Sequence, residues 1–500
     1  MTEFVEKFLA CERRHGLFRR EIGGVRYWHL IRFRLFNDLV LPHYISGGAA
    51  HPDHSLAAPV PRGFGSRVVA KLTTVRDSLA ERLRHDPDRV RGRFPILFAM
   101  VPRQGVMADG KTGSTMLDPL VGELRAPFAL LEHPGAQGGC TKQPFGRRVL
   151  HWPEYRAIRD VRLSPDGAFA NAAPMRRAES EWLASVFADV YGFSFESGRV
   201  WWMIDDCLRF REIYGDAMRR WIARLGVRVL VLADAAYRNN ALMTEAAHEC
   251  GVPVVELQHG TVYPEHVSFN LGERDEVFSP DYLFSWGAHW NGQVRGYPTK
   301  RIVSAGYPYL DGFRERCRRI PRRDGTPLRV VFISQGMIGP ELSRIAVSLR
   351  EAIGPERIEI VYKLHPNETK SWRALYPELA ASGIRVVGHD EMNIYQCLQR
   401  ADVTVGTNST AMIEGFAWGV KALVMRNLPA GFTMEAFCRS GAAEFIEDVE
   451  QLVRRLGELA DGASGAAGFE FDSDDYFRPG AAKRIARHLE DLASGKEICE

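Results

Sequence analysis

The chain has 500 residues, 45% apolar and 25% charged, which is ordinary for a globular protein and excludes a disordered chain, a collagen and a small disulfide scaffold. At roughly 100–200 residues per domain, two or three domains are expected. With 65 Lys and Arg against 62 Asp and Glu the net charge is +3, so bulk charge points to no nucleic-acid partner.

The eight cysteines (Cys11, Cys140, Cys207, Cys250, Cys317, Cys397, Cys438, Cys499) form no CxxC pair. A cysteine zinc site is therefore not expected, and a reduced, cytoplasmic location is. No apolar run reaches about 18 residues, so no membrane span is expected. Arg32 and Arg34 break the best candidate, residues 27–44. The basic, apolar and small-residue pattern of a signal peptide is also missing from the start.

Residues 1–95 carry 17 Lys/Arg and 10 Asp/Glu, a net +7, which leaves the remaining 405 at −4. This segment mixes arginines with Trp28, Phe33, Leu35 and Phe36. Two readings stay open. One seats it on an anionic membrane surface. The other packs it as a helix on its own domain, with arginines in solvent. Arg32 falls inside the apolar arc of a helical wheel, so the helix is not cleanly amphipathic. Residues 45–66, rich in Gly, Ala, Pro and His, read as a loop or linker.

From Phe94 the pattern changes to short apolar runs that end in polar or glycine-bearing turns, each followed by a helical stretch. The clearest strands are 95–101, 227–232, 253–257, 329–334, 358–364, 403–406 and 422–425, with helices such as 241–250 and 410–418 between them. Continuous Val/Ile/Leu-rich runs suit strands buried on both faces of a parallel sheet. Alternation with helices predicts a doubly wound α/β architecture. The alternation occurs twice, on either side of the charged, proline-bearing stretch 314–327. A Gly/Ala-rich break follows at 461–468, and a last helix over 481–492 is expected to cross back onto the first domain. The expected organisation is a basic helical N-terminal extension (1–93), a Rossmann-like acceptor domain (94–313), a linker (314–327), a Rossmann-like donor domain (328–468) and the returning helix (469–500). Ligands of open α/β sheets bind at the carboxyl ends of the strands.

Four stretches place polar residues there. Asp234, Arg238 and Asn239 follow the strand at 227–232, and serve either as turn and cap residues or as ligands. Gln258, His259 and Gly260 end the next strand. Gly260 permits a sharp turn or close backbone approach, and an imidazole suits general acid–base chemistry or donation to a phosphate. Lys363 and His365 alternate at the end of 358–364, where Pro366 fixes φ. A cation and a titratable donor suit a departing phosphate, whose charge grows as its bond breaks. Residues 406–410 form a Gly-Thr-Asn-Ser-Thr turn into a helix, with Ser409 or Asn408 as cap and free N–H groups as an anion site. Glu414, one turn on, is placed to accept from ribose hydroxyls. Neither GxGxxG nor GxxxxGK[ST] is present. Asp205 and Asp206 read as helical surface, so no metal ligands and no cofactor are expected.

Three segments resemble bacterial capsule and surface-polysaccharide glycosyltransferases of the GT-B type: Leu-Gln-His-Gly-Thr-Val-Tyr-Pro-Glu-His at 257–266, Lys-Leu-His-Pro-Asn-Glu at 363–368 and Asn-Ser-Thr-Ala-Met-Ile-Glu at 408–414. That group includes polysialyltransferases, capsule β-Kdo transferases and teichoic-acid glycerophosphotransferases. Segments 281–287 and 303–308 resemble its connecting stretches, and 12–18 with 27–33 resemble the start of capsule-locus proteins. The likeness covers roughly 225–430.

The resemblance implies an α/β GT-B fold, two Rossmann-like doubly wound domains facing a cleft, with an N-terminal helical extension. It implies a metal-independent glycosyltransferase of capsule or surface-polysaccharide synthesis, moving a sugar from a CMP-activated donor to a glycan or lipid-linked acceptor. The setting it implies is the cytoplasm, peripheral at the inner face of the membrane. His259 would sit at the reaction centre and His365 would protonate the leaving group or bind its phosphate. Gln335, Lys363, Pro366, Glu368, Asn408, Ser409, Thr410 and Glu414 would hold the donor. Asp234, Arg238, Gln258, Tyr263 and His266 would hold the acceptor. The acidic pair before glycine that supplies the polysialyltransferase base is missing, since Arg323-Asp324-Gly325 lies in the linker, so the base and the stereochemistry stay open. The alternatives are polyol-phosphate transfer from a CDP donor, a non-catalytic scaffold, and a sugar-nucleotide epimerase.

Overall fold

The computed structural model describes residues 2–45, 85–100, 104–132, 149–152, 173–297, 301–336, 338–388, 391–428, 431–462 and 471–498. The expected linker at 45–66 lies outside the described residues apart from Ile45, as does most of the break at 461–468.

The N-terminal helices α1 (Thr2–His15) and α2 (Trp28–Leu35), with a shorter helix at Leu41–Ile45, precede the first sheet. Its strands are β1 (Ile96–Met100), β2 (Phe128–Glu132), β3 (Val149–His151), β4 (Val229–Leu232), β5 (Val254–Leu257), β6 (Tyr282–Ser285) and β7 (Ile302–Ser304). Helices α3 (Ala173–Tyr191), α4 (Ser197–Leu225) and α5 (Arg238–Glu249) flank them. The second sheet holds β8 (Leu328–Ile333), β9 (Ile358–Lys363), β10 (Arg385–Val387), β11 (Val403–Gly406), β12 (Lys421–Met425) and β13 (Ala443–Ile446), and α6 (Ala481–Ala493) ends the fold.

Among the described residues the first sheet runs β7-β6-β5-β4-β1-β2-β3 and the second β10-β9-β8-β11-β12-β13, with every pairing parallel. Each is the doubly wound order, with a seventh strand added to the first sheet, and in each the winding reverses once. The reversal lies between β1 and β4 in the first and between β8 and β11 in the second. Helices on either side of such a reversal diverge and open a crevice at the carboxyl ends of the strands. The two α/β domains and the helical N-terminal region agree with the expected fold class.

The strands are apolar throughout because both faces are covered. Leu97, Ala99, Leu230 and Leu232 pack toward α1, α2, α4 and α5. Ile96, Phe98, Val229 and Val231 pack on the opposite face with Ile485, Leu489 and Leu492 of α6. The final helix thus belongs to the first sheet, and Glu490 accepts the N–H groups of Arg125 and Ala126 at 2.6 and 2.9 Å. On its way back the chain passes over β6 and β7. A Cβ on Gly287 or Gly306 would lie 2.2 Å from the carbonyl oxygen of Asp475 or Arg478. This close approach explains both glycines. The domains also meet through Phe313 against Tyr395, ring centroids 4.1 Å apart, and the returning segment meets the first through the Trp290 indole N–H donated to Tyr476 O at 2.7 Å.

The described N-terminal helices are integral to the first domain. Trp28, Leu35 and Phe36 are buried in the first core. Some of this segment's arginines are paired within the protein: Arg20 bonds Glu179 and lies 3.6 Å over Trp182, and Arg19 pairs with Glu273. Arg32 sits in the apolar arc because Glu12 awaits it there. Arg32 Nε donates to Glu12 Oε1 at 2.7 Å, and its other nitrogens donate to the carbonyls of Val267 and Asn270 at 2.5 and 3.0 Å. Glu12 also accepts from the Trp28 indole at 2.9 Å and from Gly272 N at 2.8 Å. The segment therefore clasps the loop that follows His259. Among the described residues no helix is long and apolar enough to cross a membrane.

Candidate functional site

At the reversal of the first sheet, β4 ends and the chain turns through Asp234, which has φ +64°, the one positive value outside glycine among the described residues. A left-handed conformation costs a residue with a Cβ roughly 1–2 kcal/mol, least for Asn and Asp. It persists only when surroundings over-determine it. Here they do. Asn240 Nδ2 donates to the carbonyls of Ala233 and Asp234 at 2.7 and 3.1 Å. Glu256 on β5 accepts Ala235 N–H at 3.0 Å and the Tyr297 hydroxyl at 2.9 Å. The turn presents Asp234 to His259: Nδ1 accepts the Asp234 N–H at 3.2 Å and Nε2 lies 2.5 Å from Oδ1. Both side chains are under a tenth exposed.

The pair sits in a low-dielectric setting. Burial pushes the Glu256 carboxyl above its ordinary range, opposed by the nearby His259. Phe269 stacks on His259 at 5.3 Å and on its other side meets His266 at 5.1 Å. Burial, then the charge of His259, lowers His266 to about 4. His266 is therefore neutral near neutral pH and supplies no cation. Tyr263 packs edge-on to His266, and Asn270 Nδ2 bonds both their carbonyls.

Gln258 and Arg238 are engaged within the protein, and Gly260 is not demanded by its turn. The Gln258 amide is spent internally, donating to Gly260 O at 2.9 Å and accepting Trp286 N–H at 2.8 Å, so it braces the turn. Arg238 pairs with Asp206 and lies 4.1 Å over Phe210. It therefore turns toward α4 and away from the Asp234–His259 pair. Gly260 has no positive φ, and a Cβ there would meet nothing within 4 Å, so neither turn geometry nor crowding demands glycine. Asp205, expected on a helix surface, is helical but buried, held by Arg176 and Arg209 at 2.6 Å each.

At the reversal of the second sheet, Thr407 Oγ1 donates to Gln335 Oε1 at 3.0 Å and lies 3.3 Å from Asn408 Oδ1. Ser409 caps the short helix Thr410–Glu414 by accepting Ala411 N–H at 3.3 Å, and Thr410 is exposed. One strand over, His365 opens a turn whose first residue is Pro366. His365 Nδ1 accepts Asn367 N–H at 3.3 Å. The neutral ring therefore carries its proton on Nε2.

Lys363, Glu368 and Glu414 depart from their expected roles. Lys363 is buried at 5% exposure and donates from Nζ to Gly388 O at 2.9 Å, so it does not stand beside His365 as an open cation. Glu368 accepts from His365 N at 2.7 Å, Ser334 Oγ at 3.0 Å and the Tyr376 hydroxyl at 2.6 Å. It holds the His365 turn from below. Glu414 is buried with the Tyr395 hydroxyl and is not open to a ribose. Desolvation raises its carboxyl to about 7, against an ordinary value near 4.3.

That shift makes a stability prediction. A buried carboxyl with a raised pKa supports the fold while neutral, and that support is lost as pH rises through about 7. Glu414→Gln should therefore stabilise the protein at about pH 8, by up to about 3 kcal/mol, and change little near pH 5. Thermal unfolding at the two pH values checks this; equal shifts at both would contradict it.

The residues that sequence reasoning missed are Glu256, Asn240, Tyr297 and Thr407. The one available signal was Glu256 itself, a carboxylate within an otherwise apolar strand. Among the described residues no cluster of three His, Cys, Asp or Glu side chains is placed to hold a metal ion.

No protein-family model matches the chain, and no curated protein sequence matches it. Solved structures similar to it include UDP-GlcNAc 2-epimerase from Neisseria meningitidis bound to UDP-GlcNAc, with 11% identity, TM-score 0.46, and coverage of 79% of this chain and 99% of that one. Another is the S. aureus MnaA–UDP complex (12%, TM-score 0.47, 81% and 99%). A third is the glycosyltransferase SnogD from Streptomyces nogalater (12%, TM-score 0.41, 80% and 100%).

Proposed function

We propose that the protein transfers a sugar from a nucleotide-activated donor to a glycan or lipid-linked acceptor, without a metal, in the synthesis of a bacterial surface polysaccharide. The observation that carries this reading is the Asp234–His259 pair, clamped in a strained turn at the reversal of the first sheet. The pair removes the proton from the acceptor hydroxyl, which attacks the anomeric carbon as the bond to the donor phosphate breaks. Charge then grows on the phosphate. His365, with its proton on Nε2, and the hydroxyls of Ser409 and Thr410 receive it. Gln335 and Asn408 line the same edge, so the second domain takes the donor and the first takes the acceptor. The CMP identity of the donor and the capsule setting rest on the sequence resemblance alone.

The test is nucleotide release by the full chain in EDTA. CMP freed from a CMP-sugar, dependent on acceptor, supports the reading. CMP freed only from a CDP-polyol moves the chemistry to polyol-phosphate transfer, and no release from either overturns a catalytic role. His365→Ala should cut turnover on the order of 100-fold or more with the fold intact. Turnover within a few-fold of wild type would remove His365 from the donor site.

A further inference from the structure

We propose that the corner where α2, α4 and α5 meet is a subsite that binds the sugar rings of an extended acceptor glycan. This rests on the transferase reading and adds residues to it. Trp202, Asp206 and Phe210 form one stripe of α4. Two arginines lie across that stripe: Arg34 of α2 is 4.2 Å over Trp202, and Arg238 of α5 is 4.1 Å over Phe210. Both reach Asp206 Oδ2, Arg34 at 3.3 Å. Arg34 is also 3.2 Å from Asp38, so the two cations are balanced by two carboxylates. Phe33 and Tyr237, the residues before the two arginines, pack edge to face at 5.1 Å.

The surface of this corner is unusual. Trp202 is 40% and Tyr237 50% exposed. These are two of the few large apolar side chains on the surface of the described residues. Arg34 covers one face of Trp202, and the Arg34–Asp206–Arg238 ion pairs adjoin that ring. A pyranose has an apolar C–H face and a ring of hydroxyls, so it matches flat aromatic surface bordered by paired donors and acceptors. The balanced charge favours neutral sugars over a polyanion. The corner adjoins the turn that carries the proposed reaction centre: Tyr237 N donates to Asp234 O at 3.1 Å. A glycan laid over Tyr237 and Trp202 would lead its terminal hydroxyl toward Asp234.

Ladders of chitooligosaccharides, α-glucans and oligosialic acids titrated into the full chain test this, read by tryptophan fluorescence and calorimetry. At least one neutral ladder should bind, more tightly with length. Trp202→Ala and Tyr237→Ala should each weaken that binding roughly tenfold, as for an aromatic anchor, while Trp202→Phe retains most of it. In transfer assays the two alanine variants should raise KM for a long acceptor by the same factor. kcat and acceptor-free donor hydrolysis should stay unchanged. Donor hydrolysis reports on the transferase reading and glycan binding on the subsite, so the two fail separately. The subsite is overturned if no ladder binds, if only the oligosialic ladder binds, if the folded alanine variants bind as wild type, or if the corner binds anionic vesicles in place of sugars.

Discussion

Asp234→Asn is expected to lower turnover by roughly 100- to 10,000-fold, the usual worth of positioned acid–base catalysis, with little change in stability. The substitution separates chemistry from geometry. Asparagine adopts the left-handed conformation as readily as aspartate, so the turn at φ +64° keeps its shape. The carboxylate that faces His259 Nε2 at 2.5 Å is lost. His259→Ala removes the other half of the pair, and the double variant should be no worse than the poorer single one, because partners in one unit are strongly non-additive. Steady-state kinetics with unfolding curves for the three variants check this. A D234N enzyme within a few-fold of wild type would show that the pair is structural.

Glu12→Ala should destabilise the protein by roughly 3–5 kcal/mol, because it leaves the Arg32 guanidinium buried without a counter-charge. Glu12 is fully buried and Arg32 nearly so. The loss also frees Gly272 N and the Trp28 indole, which bond Glu12 in the native fold. By contrast, breaking the exposed Arg19–Glu273 pair should cost under about 1 kcal/mol. The apolar double substitution Glu12→Leu with Arg32→Met should recover much of the loss, since removing both charges avoids the unpaired one. Urea unfolding checks all three. A change below about 1 kcal/mol for Glu12→Ala would contradict the clasp. Activity should fall with stability, because Arg32 holds the carbonyls of Val267 and Asn270 in the loop that places Phe269 against His259.

The sheet edges were legible in the sequence for a simple reason. A strand buried on both faces is a continuous apolar run, and the first polar residue after it lies at the carboxyl edge. That locates Asp234, His259, His365 and Asn408. The strands Phe128–Glu132, Val149–His151, Tyr282–Ser285, Ile302–Ser304, Arg385–Val387 and Ala443–Ile446 were not picked out, and length alone does not explain this, since Phe128–Glu132 is as long as Ile96–Met100. Pairing at the edge depends on register, which the sequence does not display. Leu232 lies opposite Glu256, and this brings Asp234 beside His259, 25 residues away. Nor does a strand-end position say which way a side chain turns. Lys363, Glu368 and Glu414 all stand near the second edge, yet each points inward to a carbonyl, a hydroxyl or a backbone N–H. Arg32 looked misplaced on a wheel because its partner, Glu12, lies on another helix.

The central claim is a nucleotide-sugar site at the carboxyl edge of the second sheet. The most direct measurement is thermal unfolding of the wild type and of His365→Ala with CMP, CDP, UDP and GDP. A ligand at about 100 times its dissociation constant adds about 2.7 kcal/mol of apparent stability, a readily visible shift. The account predicts that a cytidine nucleotide raises the unfolding temperature of the wild type, and that the rise is largely lost in His365→Ala. No shift with any of the four nucleotides, or an equal shift in the variant, would contradict it.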